Sequence, residues 1–169
     1  KEDFFPILFK LSKNKQSIGV ISEAGCPGIA DPGAELVSIC HQLNIPVVPL
    51  VGASSIFLAL MASGFSGQSF CFHGYLPKDR KLRIRKIKQM EMDTRKHSIT
   101  NIFMDAPFRN MHVYEDLLAE TNNLTLLSIS CNLTLPNSFI KTQSIEMWKK
   151  EKNISLNKKP ALFLFGSFD

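Results

Sequence analysis

The feature that most limits the fold of this chain is a run of eleven residues, Glu23 to Gly33, in which three glycines and two prolines stand between two apolar runs. No helix or strand tolerates so many residues lacking a Cβ or a backbone N–H, so the run is a loop. Ahead of it, Ser17-Ile-Gly-Val-Ile-Ser22 reads as a short buried strand. Behind it, Asp31 can cap a helix and Pro32 can occupy its first position, with Ala34, Leu36, Val37, Ile39 and Cys40 forming an apolar side out to His41. The pattern then returns: Pro46 to Val51 reads as a second buried strand, and Gly52-Ala-Ser-Ser55 as a turn whose serines can cap a helix from Ile56 to Ser63 that Gly64 ends. Strand, loop and helix taken twice imply parallel strands joined by crossovers. Both glycine-bearing loops then fall at carboxyl ends of strands, the edge where open α/β sheets bind ligands.

The texture changes around Ser66-Gly67, and a domain boundary is expected there, dividing residues 1–67 from 68–169. Strands are expected at Ser69 to His73, Asn101 to Met104, Leu124 to Ser130 and Ala161 to Phe165, with a further one at Phe139-Ile140. Helices are expected at Arg80 to Met92, Asn110 to Glu120 and Ile145 to Lys150. The fold class is therefore α/β, in two α/β domains.

Composition removes several alternatives. With 44% hydrophobic and 21% charged residues in 169, the chain can bury a core and is neither fibrous nor disordered as a whole. The longest apolar stretch, Ile56 to Ala62, is bounded by Ser55 and Ser63, too short for a membrane-spanning helix. Cys26, Cys40, Cys71 and Cys131 lie far apart, which argues against a metal site and suits reduced thiols in a cytoplasmic protein. The excess of 20 Lys and Arg over 15 Asp and Glu gives a net charge of +5 and permits a nucleic-acid partner without requiring one.

Taken singly, the turn Gly52-Ala-Ser-Ser55 is a weak signal. The longer strings carry more: Gly19 to Gly33, Ile45 to Ser55, Ala62-Ser-Gly64, Phe72-His-Gly-Tyr-Leu-Pro77 and Asn101-Ile-Phe-Met-Asp-Ala-Pro-Phe-Arg109. Together they resemble the tetrapyrrole methylase superfamily, and within it the small-subunit ribosomal RNA methyltransferase I branch, over roughly residues 17 to 165. That resemblance implies two α/β domains with S-adenosylmethionine in the cleft between them, S-adenosylhomocysteine as product, a homodimer, and methylation of a ribose 2′-hydroxyl in ribosomal RNA. It also implies that the methyl donor is touched by Glu23, Ala24 and Gly25, by Ser54 and Ser55, by Met104, and by Pro160, Ala161 and Leu162. These residue types suit the task. Glycines allow close backbone approach, hydroxyls and free amides at a helix start bind polar groups, and Met104 and Leu162 can pack on adenine. A ribose hydroxyl needs a base, and Glu23 and Asp105 are the carboxylates beside the inferred cofactor loops.

The sequence also departs from the family. The opening strand, the loop of the Thr-Pro-Ile-Gly-Asn type and the Asp-x-Arg segment are not in it, so about the first third of the usual first domain is expected to be missing. Glu23 stands for the usual Asp, Ala53 for Pro and Phe108 for a frequent His, and Cys131-Asn-Leu-Thr134 lacks an Arg-Glu pair. Two other functions compete with the RNA reading: methylation of a small, tetrapyrrole-like molecule, and a non-catalytic dimerising remnant of the fold. Seven basic residues between Lys78 and Lys88, among them Arg80, Lys81, Arg83 and Arg85, either hold RNA phosphates or form a solvated helix face with Leu82, Ile87 and Met90 turned inward. Arg109 either meets a phosphate or pairs with Asp105, and His73 is expected to be half-buried and satisfied. No metal site is expected.

Overall fold

The computed structural model describes residues 4–168. The outermost residues of the two expected domains, 1–3 and 169, lie outside the described residues. The chain forms two compact units, Lys1–Ser54 and Ser55–Asp169.

The first unit holds two helices and connecting loops. Helix α1, Phe5–Lys13, starts with Pro6 in its first turn and ends with Lys10 and Lys13 beside its free carbonyls, both favourable placements. Helix α2, Ala34–Gln42, packs on it. The helix starts later than the sequence implies: its N-cap is Gly33 at φ 135°, and no side chain caps it, so Asp31 stands outside the helix. That φ strains any residue with a side chain and so favours glycine there, although a Cβ would make only ordinary contacts with the Gly28 backbone and the Val20 side chain. The expected strands at 17–22 and 46–51 are not formed, and with them the expected parallel pair. Both segments are without regular structure, with Ile21, Val48, Leu50 and Val51 largely exposed. The reason is one of partners. A strand needs a neighbour to satisfy its N–H and C=O groups, none of the described strands pairs with either segment, and Pro46 and Pro49 have no N–H to offer.

The second unit is a five-stranded mixed sheet. Its strands are β1, Phe70–Tyr75; β2, Thr100–Met104; β3, Leu126–Cys131; β4, Phe139–Ser144; and β5, Ala161–Gly166. Their order is β1-β2-β5-β3-β4. Only β1 and β2 run parallel, and helix α4, Arg80–His97, is the crossover that this pairing demands. The other pairs are antiparallel, with Met104 opposite Leu162, Cys131 opposite Ala161 and Ser128 opposite Thr142.

Alternation along the strands separates two apolar layers. On one face Phe103, Leu127, Ile129, Phe163 and Phe165 pack against Ile87 and Met90 of α4, Val113, Tyr114 and Leu117 of α5, Asn110–Glu120, and Ile145 and Trp148 of α6, Ile145–Lys150. On the other, Ile102, Leu162 and Leu164 meet Ala59 and Leu60 of α3, Ser55–Ser63. Thus α3, which the sequence groups with residues before 67, packs on this sheet. Trp148 is fully buried and its indole N–H donates to the Leu127 carbonyl at 2.8 Å, while the Tyr114 hydroxyl donates to the Trp148 carbonyl at 3.1 Å. Both polar handles are satisfied, so the rings contribute their apolar area at little polar expense.

Helix α4 corrects one detail of the sequence. Asp79 caps it by accepting from the Leu82 N–H at 2.9 Å, and it runs on to His97, where Ser98 at φ 53° ends it. Ile87 and Met90 are buried as expected, but Leu82 is 56% exposed and Arg83 takes the inward position.

Candidate functional site

Three strand ends meet at one edge of the second unit. Strand β2 runs out at Met104 into Asp105, β5 begins at Ala161 after Pro160, and β3 ends at Cys131. Met104 and Leu162 are register partners whose side chains join the α3-side apolar layer, and the Asn132 N–H donates to the Pro160 carbonyl at 3.0 Å. The structure therefore brings Met104, Asp105, Ala161 and Leu162 together with the backbone of Pro160. Apolar side chains at such an edge offer a wall for a flat ring.

Asp105 is only 3% exposed. One carboxylate oxygen, Oδ1, accepts from the Ala106 N–H at 2.6 Å and from the Arg109 guanidinium, which follows across a single 3-10 turn, Pro107–Arg109. The other oxygen and Arg109 Nε are buried without partners. A guanidinium and a carboxylate can pair through two parallel hydrogen bonds, so each orphan is the natural complement of the other. Arg109 is thus the counter-ion of Asp105. Asn110, absent from the sequence-based candidates, ties this turn to the segment just ahead of β5: it is fully buried and its Nδ2 donates to the Lys159 carbonyl at 2.7 Å. The signal available in the sequence was weak, a single Asn at a helix start after Pro107.

In the first unit Glu23, Ala24 and Gly25 form an exposed bend, with the Ser22 hydroxyl donating to the Ala24 carbonyl at 3.0 Å and Gly25 at φ 79°. The Cys26 thiol donates to the Ala53 carbonyl at 3.7 Å, which holds the two glycine loops side by side. Ser54 is half-buried next to Ala53; Ser55 opens α3 in the second unit.

The basic helix divides its charges. Arg83, with 8% of its side chain exposed, grips Asp116 of α5 through Nε at 2.8 Å and a terminal nitrogen at 2.7 Å, and Arg80 adds a third bond to the same carboxylate at 2.9 Å. Lys88 pairs with Glu120 at 2.9 Å. Lys81 and Arg85 are exposed. His73 is half-buried with Nε2 2.6 Å from the Asn101 side-chain oxygen; burial lowers its pKa below the usual value against the opposing effect of that bond. Among the described residues no group of His, Cys, Asp and Glu could hold a metal ion, and no helix is long and apolar enough to cross a membrane.

No protein-family model matches the chain. It is 32% identical over 165 residues to a protein named ribosomal RNA small subunit methyltransferase I from Buchnera aphidicola subsp. Schizaphis graminum, covering 96% of this chain and 56% of that protein. It is 40% identical over 113 residues to the protein of the same name from Haemophilus influenzae, covering 67% of this chain and 38% of that one. The chain thus spans about half the length, or less, of these curated relatives. Among solved structures, a uroporphyrin-III C-methyltransferase from Thermus thermophilus complexed with S-adenosylhomocysteine superposes with a TM-score of 0.52 at 16% identity, over 97% of this chain and 72% of that one. The chain has the fold of the tetrapyrrole methylases of known structure, and its sequence is similar, at 32% and 40% identity, to proteins named ribosomal RNA small subunit methyltransferase I.

Proposed function

We propose that this chain is part of an S-adenosylmethionine-dependent methyltransferase that acts on a ribose 2′-hydroxyl of ribosomal RNA, working in the cytoplasm as a homodimer. The observation that carries the reading is the identity of 32% across 96% of the chain to a protein named for ribosomal RNA methylation. The tetrapyrrole-like acceptor has less behind it, since the likeness to a uroporphyrin methyltransferase, at 16% identity, is one of fold.

The residues present suit the cofactor. In the second unit Met104 and Leu162 give an apolar wall and Ser55 opens a helix whose first N–H groups have no partner within the helix; in the first unit, taken by itself, the Glu23-Ala-Gly25 bend and Ser54 carry backbone amides and hydroxyls of the kind a polar ligand takes. When bound, S-adenosylmethionine supplies an electrophilic methyl group. The chain's part is to hold the acceptor in line and to take its proton, and positioning of that kind is the main source of rate. Of the two candidate carboxylates, Asp105 is buried and tied to Arg109, whereas Glu23 is exposed. We assign proton acceptance from the hydroxyl to Glu23 and the shaping of the strand end to Asp105.

Calorimetry with S-adenosylhomocysteine tests the cofactor half: binding is expected, and none at millimolar ligand overturns it. Replacing Ser54 and Ser55 with Val should weaken that binding while lowering stability by about 1 kcal/mol through helix capping. Transfer of a labelled methyl group to small-subunit ribosomal RNA, read as a nucleotide resistant to alkaline cleavage at the 2′-hydroxyl, tests the acceptor. Label in no such nucleotide, with the cofactor bound, removes the ribose assignment.

A further inference from the structure

Next to the strand ends, on the sheet face that carries the larger core, lies a cavity of about 170 Å³ bordered by Cys131, Asn132, Asn137, Phe139, Asn153 and Lys159. That is space for about five or six waters, or for one flat heterocycle. Asn132 is 6% exposed, lines this cavity, and makes no side-chain hydrogen bond within the protein among the described residues. The polar atoms of its carboxamide are not sealed off as those of Asp105 and Asn110 are, so they are open to whatever fills the cavity. Its backbone is unusual too. Asn132 sits at φ 52°, a left-handed conformation that Asn, Asp and Gly accept more readily than other residues, and its N–H is anchored on the Pro160 carbonyl. The side chain is therefore aimed by its main chain.

The other walls point to the same kind of guest. Phe139 offers a half-buried ring, itself braced edge-on by Trp148 at 6.2 Å between centroids. The Cys131 thiol is pushed up by burial, against the effect of Lys159, and stays uncharged near neutral pH, while Lys159 contributes a cation. A carboxamide presents a donor and an acceptor side by side, the pairing that reads a base edge, and unstacked bases lie on aromatic rings when proteins bind single-stranded RNA. Cys131 and Phe139 pack with one apolar layer and Met104 and Leu162 with the other, while Ala161 shares the layer of Cys131, so competition by S-adenosylhomocysteine is the control that separates this cavity from the cofactor's place.

We propose that this cavity is a base subsite that takes one unstacked nucleobase of the RNA substrate, with Asn132 on its edge and Phe139 against its face. The proposal rests on the RNA reading above, and the test separates the two. Trp148 is the only tryptophan and lies edge-on to Phe139, which lines the cavity, so its emission reports on changes at that ring. The full chain is titrated with AMP, CMP, GMP and UMP, with inorganic phosphate as control, in the presence and absence of S-adenosylhomocysteine, and in parallel with a small-subunit ribosomal RNA fragment. At least one nucleotide should change the emission saturably, phosphate should not, and S-adenosylhomocysteine should not compete. Asn132→Gly, which keeps the backbone conformation, should weaken that nucleotide about tenfold, the effect of removing one good base-edge pair. Asn132→Asp, which removes the donor, should change which base is preferred. RNA binding without any nucleotide response, or with a response that Asn132→Gly leaves intact, overturns the subsite and leaves the RNA reading standing. Competition by S-adenosylhomocysteine also overturns it, by giving the cavity to the cofactor. Absence of both RNA and nucleotide binding overturns both.

Discussion

Asp105 and Arg109 form a buried pair in which one charge exists to offset the other. Truncating either strands its partner, so Asp105→Asn should destabilise the protein by about 3 kcal/mol, measured by urea unfolding, and Arg109→Gln by a similar amount. Little or no loss would mean that water reaches the pair. His73 makes a different prediction. Because burial lowers its folded pKa below the ordinary 6.5, the folded state takes up a proton less readily than the unfolded state. Stability from this residue is complete above pH 6.5 and is lost as pH falls from there toward the folded value. The urea midpoint should therefore drop between pH 7.5 and 5.5, and His73→Gln should flatten that part of the profile. At this scale the candidate site is half legible in the sequence. Met104, Asp105 and Leu162 stand in recognisable strings, but Asn110 and Asn132 acquire their roles only when the Lys159-Pro160 backbone arrives beside them, and nothing local in the sequence announces that.

Among the elements, α4 shows how a run of like charges is sorted by packing. Its register turns Arg83 inward onto Asp116 and leaves Lys81 and Arg85 in solvent. Arg83→Gln should thus lower stability by about 3 kcal/mol, since it leaves Asp116 buried with only the more exposed Arg80. Lys81→Gln with Arg85→Gln should leave unfolding unchanged within about 0.5 kcal/mol. If α4 meets RNA, the same double variant should reduce the salt slope of binding by about 0.7 for each phosphate that a single strand no longer has neutralised. An unaltered slope assigns the two charges to solvation alone. Helix α5 is fully legible, from Asn110 to Glu120, because apolar residues recur along one side and no Gly or Pro interrupts them. The end of α4 is less so, since Asp93 to His97 carry no apolar signal and only Ser98 stops the helix. The segments 17–22 and 46–51 have the composition of buried strands, but composition records what a strand prefers and not whether a neighbour stands beside it.

At the scale of the whole molecule, the sequence is most informative where the chain is self-sufficient. The second unit closes its own ladders between Phe70 and Gly166, so local patterns and final structure agree there. The first unit carries apolar runs whose surfaces remain in water, and there pattern and structure part. The mixed sheet has one further consequence, for the order in which the protein is made. Strand β5, the last of the described strands in sequence, lies at the centre of the sheet between β2 and β3. Until Ala161 to Gly166 leave the ribosome, the nascent chain holds two separate two-stranded ribbons, β1 with β2 and β3 with β4, and neither layer can seal. A chain stopped at Lys159 should lose cooperative unfolding altogether, and ribosome-bound intermediates should stay open to protease along almost their whole length, then become protected together once the final strand threads between the waiting halves.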